Sequence, residues 1–91
     1  MLKPEAIRRY RLSKRQAEVI GMMCDGHSEK AIANELFLAT NSVSSRMSEG
    51  YRRLGVRSDR EAMAKLYRER LVEMPPEPDP VFDIHARGSL P

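Results

Sequence analysis

Apolar residues recur at three- and four-residue spacing in four stretches of this chain, and each stretch is bracketed by residue types that start or stop a helix. In SKRQAEVIGMMCD, residues 13–25, the stripe is Ala17, Ile20, Met23 and Cys24, widened by Val19. Ser13 can cap this helix while Gln16 reaches back to it, Leu12 can act as a staple, and Gly26 supplies a left-handed stop. A helix of barely two turns follows, capped by Ser28, with Glu29 at the positive end of its dipole and Ile32 and Leu36 as an i,i+4 apolar pair. A second capping box, Ser58 to Glu61, opens the last helix, which should carry Ala62, Met63, Leu66, Tyr67 and Leu71 up to Pro75 and Pro76.

The remaining stretch, ATNSVSSRMSEGYRRLGV at residues 39–56, has the same period and a different chemistry. At about 100° per residue around Met47, the residues Val43, Gly50, Tyr51 and Leu54 share one side, and Ser42, Ser45, Glu49, Arg52 and Arg53 share the other. Its first half is built from Thr40, Asn41, Ser42, Ser44, Ser45 and Ser48, types that each give up about half a kcal/mol of helix propensity. Small hydroxyl and amide side chains permit close approach to a partner and can donate to phosphates or base edges, so this surface is expected to touch nucleic acid. Arg46, Arg52 and Arg53 then read as phosphate anchors, with Lys30 a weaker one, in preference to a solvated face holding a Glu49–Arg53 ion pair.

The ends divide from the body. Residues 1–11, MLKPEAIRRYR, form a basic lead-in, either a short helix started by Pro4 or an arm that places Arg8, Arg9 and Arg11 against phosphate. Residues 12–73 are the domain, and residues 74–91, with five prolines, are a tail that is either disordered or a partner-docking motif built on Val81, Phe82 and Ile84.

Size and charge narrow the function. With 91 residues, three tyrosines, two phenylalanines and no tryptophan, the chain holds one small domain and no deep substrate cleft. A core of that size contributes about 3 to 5 kcal/mol, which favours a dimer. Residues 1–73 carry 15 Lys or Arg against 10 Asp or Glu, whereas residues 74–91 carry one against three. No segment joins a basic face to a broad apolar one, so the expected polyanion is double-stranded DNA and not a membrane. Cys24 is the sole cysteine and reads as a small buried hydrophobe, which leaves no disulfide framework and no metal cluster. His27 falls in a turn and His85 in the tail, the carboxylates are scattered, and no Gly-rich phosphate loop is present, so neither an enzyme nor a cofactor is expected. Nothing reads as a targeting segment, and the expected location is cytoplasmic.

The segments LSKRQAEVIGMMCDGHSEKAIANELFL, NSVSSRM and RRLGVRSDREAMAKL together make residues 12–72 resemble the DNA-binding domain of LuxR/NarL-type transcriptional regulators. The most specific part is the turn Leu54-Gly55-Val56 followed by Arg57, Ser58, Arg60, Glu61 and Ala62. The resemblance implies an all-α, four-helix, helix-turn-helix domain in a single-domain, stand-alone form, with residues 40–53 as the helix that enters the major groove. It places base-facing positions on Ser44, Ser45 and Ser48 and a phosphate contact on Arg46. It also implies a homodimer through the last helix, at Met63, Leu66, Tyr67, Arg70 and Leu71.

Three departures from the family pattern carry expectations of their own. Ser44 stands where lysine is frequent, and a serine cannot make the bidentate guanine contact worth about 1 to 3 kcal/mol of discrimination. Ala39 stands where a capping Ser or Thr is usual, so Thr40 is expected to cap and the helix to start one residue late. Gly50 replaces a large apolar residue, which costs about 1 kcal/mol relative to Ala and leaves a gap for Tyr51 to fill. SVSSRMSEGYRRL also resembles the region of extracytoplasmic-function sigma factors that reads the promoter −35 element, where a small residue is common at Gly50 and Ser-Arg recurs at Ser45 and Arg46. The functional alternatives are therefore a DNA-binding regulator and, from another class, a helix-turn-helix scaffold that binds a protein such as RNA polymerase.

Overall fold

Ser13 begins a helix by the expected mechanism: its Oγ accepts from the Gln16 backbone N–H at 3.1 Å, and the Gln16 side chain accepts from the Ser13 N–H at 2.9 Å. In the computed structural model, which describes residues 1–73, this is the second of five helices. They are α1 (Pro4–Tyr10), α2 (Lys14–Cys24), α3 (Glu29–Leu36), α4 (Thr40–Leu54) and α5 (Asp59–Arg68). The described residues contain no strand beyond one isolated bridge, so the all-α architecture is as expected. The tail at 74–91, for which disorder and a docking motif on Val81, Phe82 and Ile84 were the alternatives, lies outside the described residues.

Each short connection has a local cause. Gly26, at φ +99°, reverses the chain after α2, and Ser28 Oγ accepts from the Ala31 N–H to start α3. Phe37 ends α3 in the left-handed region at φ 56°, a conformation that L side chains enter rarely. Three residues later α4 begins, and this tight α3–turn–α4 pair is the helix-turn-helix. Gly55, at φ 75°, closes α4, and Lys65 Nζ donates to the Leu54 carbonyl at 2.7 Å to satisfy its last turn.

The core is the stripe read from the sequence, assembled across elements. Val19 and Ile20 of α2, Ile32 of α3, Val43, Met47 and Leu54 of α4, and Ala62 and Leu66 of α5 are all buried. α4 packs chiefly on α2 and then on α3, so its apolar side is fully engaged and its polar side is presented outward.

Several expectations are corrected. Residues 1–11 take the helical form, and they are more than a lead-in: Leu2 and Ala6 are buried core residues. Leu2 pairs with Val72 across an antiparallel bridge, with Lys3 N–H donating to the Leu71 carbonyl and Glu73 N–H to the Met1 carbonyl, each at 2.9 Å. That pairing explains the second correction, since α5 ends at Arg68 and does not run on to the prolines. Arg70 turns the chain at φ 58°, which drops Leu71 and Val72 into the core beside Leu2. Leu66 and Leu71, expected on a dimer face, are thus 0% and 1% exposed within a single chain.

Three further points differ in detail. Ala39, not Thr40, occupies the cap position of α4, with no side-chain acceptor, and Thr40 is already helical. Glu61 reaches the Arg57 N–H in place of the Ser58 N–H, although Ser58 Oγ does accept from the Glu61 N–H as expected. Gly50 leaves no gap: the space a side chain would take is filled from α2 by Ile20, whose Cγ1 lies 3.4 Å from where a Cβ would stand.

Candidate nucleic-acid interface

The outward side of α4 follows from its inward one. Because Val43, Met47, Gly50 and Leu54 are buried against α2 and α3, the residues half a turn away must face solvent. Asn41, Ser45, Ser48 and Arg52, spaced at i, i+4, i+7 and i+11, are exposed and form one continuous stripe. Thr40, Arg46 and Arg53 flank it in the open, and Ser42 and Ser44 are half-buried at its edges. Lys30 is exposed on α3. All ten residues read from the sequence as DNA-binding lie on α3 and α4, and none of them belongs to the core.

Beneath this surface the helix is anchored in the core by Val43, Met47, Gly50 and Leu54. Tyr51 sits half-buried with its hydroxyl directed at Met47 Sδ, 3.6 Å away, and burial, with smaller contributions from nearby negative charges, pushes its pKa up to about 12. Cys24, packed in the same core, is raised to about 11, first of all by burial. That is the environment of an inert thiol, not of a nucleophile.

Two carboxylates adjoin the surface, and each is engaged. Glu29, the first residue of α3, accepts a hydrogen bond from Ser44 Oγ at 2.7 Å. Glu49 accepts from Arg46 Nη1 at 3.5 Å and from Gln16 Nε2 at 3.4 Å. The alternative Glu49–Arg53 pair does not form, Glu49 pairing with Arg46 instead, and among the described residues Arg52, Arg53 and Lys30 form no ion pair. Cationic side chains with no carboxylate partner are available to displace counterions from a polyanion.

Sequence reasoning missed two roles here. Glu29 was legible only as a dipole-compatible first-turn residue, and Gln16 only as a member of a capping box, yet both reach α4 side chains across the fold. No pattern within one helix encodes such contacts. Phe37 was also unremarked: it is 94% exposed in the turn immediately before α4.

Among the described residues no cluster of His, Cys, Asp or Glu could hold a metal ion, and no helix is long and apolar enough to cross a membrane. A short α3, a tight turn and an α4 with an exposed, uncapped, hydroxyl-rich face define a helix-turn-helix domain. The chain belongs to the family described as bacterial regulatory proteins, luxR family, whose pattern matches residues 10–66. It is 35% identical over 71 residues to the HTH-type transcriptional regulator MalT of Yersinia pestis (strain Pestoides F), a match covering 78% of this chain and 8% of that protein. It is 37% identical over 62 residues to the probable transcriptional regulatory protein NarL of Mycobacterium tuberculosis (strain CDC 1551 / Oshkosh), covering 68% of this chain and 29% of that protein. The chain thus spans only a small part of the length of these relatives.

Proposed function

We propose that this protein is a cytoplasmic DNA-binding transcriptional regulator that inserts α4 into the major groove of double-stranded DNA. The observation that carries the reading is the two-sided character of α4: one side is locked into the core, and the other offers Asn41, Ser45, Ser48 and Arg52 as an exposed stripe. In this reading Thr40, Asn41, Ser42, Ser44, Ser45 and Ser48 approach base edges and nearby phosphates, while Arg46, Arg52, Arg53 and Lys30 neutralise the backbone. The small side chains bring the helix close without excluding it from the groove, which has room for one α-helix.

A homodimer would place two such helices on successive half-sites. With Leu66 and Leu71 inside the monomer, the face of α5 that remains for it is centred on Met63 and Tyr67, both half-buried, with Arg70 at its edge.

The test is fluorescence anisotropy of a labelled duplex across a salt series. Binding should weaken steeply with salt, and Arg46→Ala and Arg52→Ala should each flatten the log–log slope by about one. Negligible binding at low salt, unaltered in both variants, would reject the proposal. The second reading, a scaffold that docks a protein, is favoured by Phe37, since an aromatic ring 94% exposed is typical of a contact that buries it. It requires that Phe37→Ala abolish a protein complex while duplex binding stays negligible.

A further inference from the structure

The serine that replaces the family's frequent lysine is not a neutral substitution, because Ser44 is already hydrogen-bonded. Its Oγ donates to the Glu29 carboxylate at 2.7 Å, across the α3–α4 angle. A serine hydroxyl has one proton and two acceptor lone pairs. With that proton committed to a carboxylate in a charge-assisted bond, the part of Ser44 left to a partner is acceptor only. The Glu29 oxygens beside it are acceptors as well. The Ser44–Glu29 pair itself therefore offers no donor.

Resting on the groove reading above, we infer that the Glu29–Ser44 pair discriminates amino bases from keto bases at one position of the contacted strand. In the major groove adenine and cytosine present exocyclic N–H donors, whereas guanine and thymine present only acceptors apart from the thymine methyl. Opposite Ser44, adenine or cytosine completes a hydrogen bond. Guanine or thymine sets acceptor against acceptor and leaves a desolvated oxygen without a partner. Every base pair carries one such amine, so the pair reads which strand bears it and not the composition of the pair. A lysine at this position, being a donor with no acceptor, would prefer the opposite set.

The Glu29 charge has a second, opposing effect. An exposed carboxylate near the phosphate backbone weakens binding to every sequence alike. Removing it should raise affinity while lowering discrimination, a combination that loss of a merely structural contact does not produce.

Selection of bound duplexes from a random pool, followed by anisotropy on matched duplexes that differ only in which strand carries the amino base, tests the inference with the full chain, Ser44→Ala and Glu29→Ala. The unaltered protein should enrich adenine and cytosine over guanine and thymine at one position per half-site by about two- to tenfold, the worth of one hydrogen bond. Ser44→Ala should abolish that preference. Glu29→Ala, which frees the hydroxyl to donate, should abolish it while binding all duplexes more tightly. Tight binding with no amino preference, a keto preference, or a preference that survives Glu29→Ala would overturn the inference and leave the groove reading standing. Absence of duplex binding by the unaltered protein would overturn both.

Discussion

Gly50 of α4 faces the side chain of Ile20 on α2 so closely that a β-carbon there would collide with the isoleucine Cδ1 and stand 3.8 Å from Gln16 Cβ. Ile20 is fully buried and has no solvent to swing into. Overpacking of this kind costs about 1 to 3 kcal/mol, against about 1 kcal/mol regained from helix propensity when Gly becomes Ala. Gly50→Ala should therefore destabilise the fold by about 1 kcal/mol net in urea unfolding. Ile20→Val, which removes Cδ1, should be tolerated better in the Gly50→Ala background than in the parent. A double-mutant cycle with additive effects would refute this account of the contact.

The Glu49 carboxylate holds Arg46 on the exposed side of α4 and places a negative charge beside the proposed phosphate anchors. Both groups are partly solvated, with side chains 49% and 40% exposed, and their 3.5 Å contact is long, so the pair contributes little to stability. Glu49→Gln should leave the thermal midpoint nearly unchanged. At low salt it should tighten duplex binding by about two- to fivefold, the range that a single exposed charge can supply. Weaker binding in this variant would mean that Glu49 positions Arg46 and does not compete for it.

Tyr51 should make the fold sensitive to alkali. Burial raises its pKa from 10.0 to about 12, so the folded state keeps a proton that the unfolded chain has lost. The resulting stabilisation is complete below pH 10 and disappears as pH rises through about 12. Cys24, raised from 9.0 to about 11, adds a loss of the same sign that begins one unit lower. Urea midpoints measured between pH 8 and 12 should fall more steeply for the parent than for Tyr51→Phe. Equal slopes would show that the hydroxyl is not held neutral by its surroundings.

Glu69 should act at the other end of the scale. It accepts from the Tyr10 hydroxyl and from Arg9 Nη1, and chiefly the Tyr10 hydrogen bond holds its pKa below the ordinary carboxylate value of 4.5. Its contribution is present above that value and is lost as pH falls through the depressed one. In acid titrations followed by circular dichroism, Glu69→Gln should therefore show a shallower loss of stability below pH 5 than the parent, and a lower stability at neutral pH.

Leu2 ties the start of the chain to Val72 and is 7% exposed. Leu2→Ala should cost about 2 kcal/mol, the low end for a buried leucine, because the site lies at the edge of the core. It should also speed exchange of the Lys3 and Glu73 amides, which donate across the bridge. Duplex affinity should be little changed, since Leu2 is a core residue outside the proposed α4 contact stripe.

Much of the candidate surface was readable residue by residue, because a helix repeats its faces on a fixed period and the buried side of α4 implies the exposed one. The ten proposed DNA contacts all fall on the accessible parts of α3 and α4 for that reason. The proposed dimer residues fared differently. Met63 and Tyr67 stay near the surface, but Leu66 and Leu71 are core, because a periodic stripe does not say whether it packs on its own chain or on a copy.

Most helix starts, turns and faces are dictated by interactions within about four residues, and there the linear order of side chains was sufficient: Ser13, Ser28 and Ser58 cap, Gly26 and Gly55 turn, and the stripes of α2 and α4 are buried, whereas the start of α4 at Thr40 and the end of α5 at Arg68 were not legible. The contacts that set the chemistry of the surface and the closure of the fold join residues far apart along the chain, namely Ser44 to Glu29, Glu49 to Gln16, Ile20 to Gly50 and Leu2 to Val72. Such pairings depend on the angles and separations at which finished helices pack. Those are properties of the assembled core, and they exist only once every stripe has found its partner.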